Sequence, residues 1–169
     1  NTKRLITSIK WVIFSIVVGI VAGSCGTAFY FALSVVTDFR MKYPWLIYFL
    51  PIGGLAIVGL YHLCKDDNDT GTNLVISAIH SGDKVPFKMA PLIFVSTLIT
   101  HLFGGSAGRE GAALQMGGSI GSSIGRVFRF DEKDKHVMIM CGMSAAFSAL
   151  FGTPMAAAIF SMEMLSLIH

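Results

Sequence analysis

The chain has 169 residues, of which 53% are hydrophobic and only 14% charged, against roughly a quarter charged in an average soluble domain. A net charge of +3, scattered without a basic face carrying interleaved aromatics, argues against a nucleic-acid partner. The composition points instead to helices in a lipid bilayer, read as one unit over residues 1–169.

Lys3, Arg4 and Lys10 precede the first apolar stretch and favour a cytoplasmic N-terminus by the positive-inside bias. Leu5 to Val36 and Pro44 to Leu63 each supply the roughly 20 residues that a spanning helix needs. The first is too long for a signal-peptide core and lacks a convincing cleavage site, so it belongs to the mature structure. Gly19 and Gly23 lie one helical turn apart and predict close helix packing, while Pro44, Pro51 and the Gly53-Gly54 pair predict a bent second span. Asp66 to Gly71 is a polar turn, followed by a short helix at Leu74 to Ile79 that stops near Gly82 and Pro86.

Pro91 to Phe103, Ala112 to Ile124, Val137 to Phe151 and Pro154 to Ile168 are shorter apolar segments interrupted by Gly or Pro. Broken segments survive in a membrane only where neighbouring protein covers their ends. Gly117, Gly121 and Gly125 repeat the one-turn spacing and predict a second close-packing face. The chain ends at His169 directly after an apolar helix, with no polar tail, which reads as a piece of something longer.

Cys25, Cys64 and Cys141 are odd in number and widely spaced, so they read as packing thiols rather than a disulfide framework. His62, His80, His101, His136 and His169 show no ligand-like spacing, and neither a metal nor a cofactor is expected.

The chemistry concentrates in Gly104-Gly105-Ser106-Ala107-Gly108-Arg109-Glu110-Gly111. An ionisable side chain in a spanning segment costs about 2.5 to 3.5 kcal/mol on insertion scales and so usually faces a cavity or an ion path. Glycine-rich backbone leading into a helix exposes N–H groups that surround an anion, and the helix dipole adds partial positive charge there. Gly108, Arg109, Gly111 and Ala112 are therefore anion-site candidates, and Thr72 and Asn73 offer donors at the start of another helix. Glu110 would compete with a bound anion for that place, and its protonation would end the competition, linking anion to proton movement. The bland alternatives are a structural Arg109–Glu110 pair and a simple helix cap at Thr72 and Asn73.

A different class of function is suggested by Gly104-Gly105-Ser106-Ala107-Gly108, which has the spacing of a serine nucleophile on a tight turn and would need His101 or His136 as base. Rhomboid-like intramembrane proteases use a comparable serine and histidine. A nucleotide-binding P-loop is a weaker reading still, because the Gly-Lys-Ser/Thr ending is missing and no predicted strand precedes the loop.

Taken together, the motifs resemble the CLC superfamily of anion channels and proton-coupled antiporters, in the N-terminal half of its inverted repeat. Gly108-Arg109-Glu110-Gly111 resembles the family's Gly-Arg-Glu-Gly-Pro motif, and Gln115 to Gly121 and Phe151-Gly152-Thr153-Pro154-Met155-Ala156 resemble further family segments. The resemblance implies an all-α polytopic fold of broken, tilted helices, with Glu110 as external gate and proton carrier, and a transporter rather than an enzyme. It also implies a homodimer whose second, C-terminal half supplies further anion donors, placed in a cell membrane, bacterial inner or plasma.

Three departures from the common chloride pattern narrow the resemblance. Ala112 replaces the proline, Gly71-Thr72-Asn73-Leu74 replaces Gly-Ser-Gly-Ile-Pro with Thr70 as a rival to Thr72, and Glu163-Met164 replaces a glutamate pair. With Thr100-His101-Leu102-Phe103, this combination is most similar to the fluoride/proton antiporter branch, CLC-F. The implied activity is fluoride export in exchange for protons; the alternative is a chloride channel or chloride/proton antiporter. Fluoride is small and strongly hydrated, so its site must return short, strong donor bonds.

Overall fold

Between Thr2 and Lys42 no proline interrupts the chain, and helix α1 (Thr2–Lys42) runs its full length, longer at both ends than the Leu5 to Val36 expectation. It stops because Tyr43 precedes Pro44: the pyrrolidine ring disfavours helical geometry in the residue before it, and Tyr43 takes φ −126° and ψ 75°. A 3₁₀ turn at Pro44–Phe49 then leads into α2 (Leu50–Leu63), whose early Pro51 sits where no amide donor is needed. The computed structural model describes residues 1–64 and 85–166. The remaining elements are α3 (Met89–Leu102), α4 (Arg109–Val127), α5 (Glu132–Phe151) and α6 (Pro154–Ser166), with no strand among the described residues.

One stripe of α1 is buried, formed by Val18, Ala22, Gly26, Phe29 and Leu33 at spacings of three and four residues. The opposite face leaves Ile13, Ile16, Ile20, Phe31 and Val35 more than half exposed. Apolar side chains in that number on an open face suit lipid or further protein, not water. Among the described residues, α1 and the Pro44–Leu63 segment are long and apolar enough to cross a membrane.

At the centre lies α4, buried on every side from Ala112 to Ser122 and packed most extensively against α5. Its glycines explain how. A Cβ on Gly117 would enter the carbonyl of Gly142, and one on Gly121 the carbonyl of Met138. Gly125 faces Lys135 of α5, so rising numbers on α4 meet falling numbers on α5 and the two helices run antiparallel. The small-residue face read from Gly117, Gly121 and Gly125 is thus a backbone-to-backbone contact. At Gly19 and Gly23, which the spacing marks for close packing, no described residue lies within 4 Å of a Cβ built on either. The close approach of α1 comes from Gly26, on the buried stripe, where a Cβ would lie 2.9 Å from the Ala146 carbonyl oxygen of α5. Gly53, within α2, makes room for the ring of Phe103.

Aromatic side chains mark the two ends. Trp11 stacks on Phe130 at 5.9 Å, Phe14 meets Phe128 and Phe130 edge-on, and the Lys10 ammonium lies 5.3 Å from the Phe130 ring centroid. The start of α1 and the α4–α5 turn therefore share one end of the bundle. Tyr43, Trp45 and Phe49 form a second aromatic run at the other end. Two such belts are the usual signature of side chains at headgroup level.

Candidate functional site

Helix α3 ends in a paired cap that spends two of the loop's glycines on backbone geometry. The Gly105 amide donates to the Thr100 carbonyl at 2.8 Å and the Gly104 amide to His101 at 3.2 Å, with Gly104 at φ +83°. Gly105 is confined as well, since a Cβ there would lie 2.7 Å from Thr100 Cγ2. Gly108 differs. It is the N-cap of α4 in extended geometry, φ −70° and ψ 135°, and a Cβ on it would meet no described residue within 4 Å. Neither its backbone angle nor its described neighbours demand glycine, whereas the first amides of α4 have no intrahelical acceptor and receive no side-chain cap bond.

Glu110 sits in that first turn, exposed, beside exposed Arg109 and half-buried Gly111. Among the described residues neither Arg109 nor Glu110 forms an ion pair, so the structural-pair alternative has no geometric support here. Ala112 is 9% exposed and joins the central apolar cluster with Phe29, Met116 and Met143. The loop is flanked by residues that the sequence did not single out. Arg40 Nη1 lies 3.5 Å and Ile47 Cγ1 3.6 Å from the Cβ position of Gly104, and Leu50 Cδ1 lies 3.4 Å from that of Gly105. Arg40 read only as a cation in the last turn of α1, a place explained by the helix dipole.

Thr70, Thr72, Asn73 and the short helix expected at Leu74 to Ile79 lie outside the described residues. Glu163 is exposed on α6, where its carbonyl accepts from Ser166 Oγ at 2.9 Å. The serine-nucleophile pattern is not assembled: Ser106 has no hydrogen bond to His101 or His136, and His101 Nδ1 is bound to the Thr97 carbonyl at 2.8 Å. No group of three or more metal-ligating side chains is present among the described residues.

With this helical frame in place, a family model described as voltage gated chloride channel matches residues 53–168. The chain belongs to this family. Its members are channels and transporters rather than enzymes. A chloride/fluoride channel protein of Pseudomonas syringae pv. tomato is 42% identical over 94% of the chain, and an H(+)/Cl(−) exchange transporter ClcA of Vibrio campbellii is 27% identical over 93%. The chain spans 35% and 37% of the length of those two proteins. The crystal structure of a CLC-type fluoride/proton antiporter superposes with a TM-score of 0.82 at 41% identity, covering 89% of this chain and 38% of that one. A slow cyanobacterial Cl⁻/H⁺ antiporter, 22% identical with a TM-score of 0.72 over 92% of this chain and 45% of that one, shares the fold. The all-helical CLC architecture expected from the motifs is therefore the one found.

Proposed function

We propose that the protein containing this segment exchanges fluoride for protons across a membrane, with Glu110 as the gate that both blocks the anion position and carries the proton. The observation that supports it most is the start of α4: an uncapped helix N-terminus, entered through a glycine that no described neighbour requires, with a carboxylate one residue inside the first turn. Such an end attracts an anion through its amides and dipole. The Glu110 carboxylate is itself an anion of suitable reach, so it and the transported ion compete, and protonation releases the position.

Fluoride as substrate rests on the likeness to the fluoride/proton antiporter and the Pseudomonas protein. Thr72 and Asn73 are proposed as further donors, with backbone at Gly108, Arg109, Gly111 and Ala112. The working unit is taken to be a homodimer of full-length chains, each supplying its own second half. An inner or plasma membrane of a bacterium is its proposed place, crossed several times. Cations gather at one end of the bundle, where Lys3, Arg4 and Lys10 of α1 stand with Arg126, Arg129, Lys133 and Lys135 around the α4–α5 turn. That end is assigned to the cytoplasm and the Glu110 end to the outside. A chloride-conducting or chloride/proton-exchanging protein is the second reading, favoured by the ClcA relatives.

The test is flux from liposomes carrying the full-length protein, with fluoride and chloride electrodes and a pH electrode read together. Fluoride efflux that drives proton uptake, with coupling lost in Glu110→Gln, is the expected result. Equal fluoride and chloride flux without proton movement sinks the antiport reading and leaves a channel.

A further inference from the structure

A broad groove lies at the far end of α4 from Glu110. It has a volume of about 880 Å³ between α1, the Pro86–Lys88 segment and the last turns of α4, with Val17, Val21, Phe87, Ile120, Ile124 and Phe128 among its walls. Val21, Phe87 and Ile120 also line a second, wholly apolar groove of about 410 Å³ that continues past Cys25 and Phe94. On the other side of Phe87 a third groove of about 710 Å³ opens between α2 and α3, lined by Leu60, Leu63, Pro91 and Val95. Phe87 is thus the divide between two apolar channels.

Two cations stand where the channels meet. Lys88 lines both the first and the third groove, is exposed, and makes no hydrogen bond or ion pair among the described residues. Arg126 donates from Nη2 to the Val85 carbonyl at 2.7 Å and to Ser123 Oγ at 3.3 Å, while its Nη1 and Nε have no hydrogen-bond partner among the described residues. No carboxylate appears among the described residues lining any of the three grooves. Phe128, on the wall beside Arg126, belongs to the aromatic belt with Phe14 and Phe130, which puts the cations at headgroup depth.

We infer that this forked trough seats one anionic phospholipid of the leaflet on the α1 N-terminal side, its phosphate between Lys88 and Arg126 and its two acyl chains on either side of Phe87. A single-chain or uncharged occupant would leave one channel or the cation pair unused. Basic pockets between spanning helices bind anionic headgroups by this combination of fixed charge and apolar walls.

The test is native mass spectrometry of the full-length protein released from nanodiscs containing either palmitoyl-oleoyl phosphatidylglycerol or the matching phosphatidylcholine. The expected result is one phosphatidylglycerol retained per subunit, with retention about fivefold lower in Lys88→Gln, as the loss of one cation near a headgroup predicts. Ile124→Trp, which fills the groove and keeps both cations, is expected to expel the lipid as well. Lys133→Gln, a cation lining none of the grooves, is the control and should leave retention unchanged. Equal retention of both lipids overturns the proposal, as does no retention at all, the result if the rest of the protein fills the trough. An equal loss in Lys133→Gln also overturns it, by revealing a diffuse charge effect. Unchanged thermal midpoints in Lys88→Gln and Ile124→Trp separate lipid loss from misfolding.

Discussion

Gly117 and Gly142 each occupy the space that a side chain on the other would need: a Cβ on either would enter the other's carbonyl group. Backbone has no rotamer to yield, so the two helices must separate if either glycine gains a methyl group. Gly117→Ala or Gly142→Ala is expected to destabilise the protein by about 1 to 3 kcal/mol, the usual range for overpacking. Gly19→Ala and Gly23→Ala, whose new methyls meet no described neighbour, should be neutral or stabilising by about 0.5 to 1 kcal/mol through helix propensity. Denaturation midpoints of the four variants in detergent check the contrast; equal losses in all four would remove the Gly117–Gly142 backbone contact as the cause.

Arg129 carries a positive φ of 53° in the paired cap that ends α4, where the Phe130 amide donates to Gly125 and the Arg129 amide to Arg126. Glycine is the usual residue at this position, and a side chain there costs about 1 to 2 kcal/mol. Arg129→Gly is therefore expected to raise the thermal midpoint. Gly152, at φ +65° after α5, is the reverse case. Gly152→Ala should lose about 1 kcal/mol in the same assay, although a Cβ there meets no described residue within 4 Å.

Much of the architecture was legible because membrane helices announce themselves by length and apolarity, and because caps are local. Phe151-Gly152-Thr153-Pro154 shows the point: a left-handed glycine closes α5, Thr153 accepts the Ala157 amide at 2.9 Å, and proline opens α6 where no donor is needed. What the pattern did not reveal was which glycine touches what. Gly19 and Gly23 carry the same one-turn spacing as Gly117 and Gly121, yet among the described residues only the latter pair meets a partner helix, because the buried stripe of α1 runs through Gly26. At the site, Glu110 and the α4 N-terminus follow from sequence, but the support from Arg40, some 60 residues earlier, does not; long-range contact leaves no local trace.

Gly108 offers a way to separate anion access from folding. Its backbone angles suit alanine and its Cβ direction is open, so Gly108→Ala should fold with a loss of no more than about 1 kcal/mol, the cost of alanine at an N-cap. If the anion approaches the α4 amides through that space, the new methyl obstructs it. Fluoride flux in liposomes is expected to fall about tenfold or more, equivalent to about 1.4 kcal/mol of lost stabilisation. Flux retained at the original rate would show that the anion does not pass Gly108.

Arg40 gives the corresponding electrostatic prediction. Its Nη1 lies 3.5 Å from the Cβ position of Gly104, so a positive charge stands beside the loop that feeds the Glu110 turn. A cation at the rim of an anion pathway raises the local anion concentration without binding the ion, and salt screens it. Arg40→Gln is expected to raise the fluoride concentration for half-maximal flux about two- to tenfold at low ionic strength, while leaving maximal flux and proton coupling intact. The difference should shrink as an impermeant salt is added. Lys42→Gln is the control, since Lys42 ends the same helix and is not among the nearest atoms to the Cβ position of any loop glycine. An effect of Arg40→Gln that persists at high salt, or that lowers maximal flux alone, would identify Arg40 as a brace for the loop and remove its role in drawing anions to Glu110.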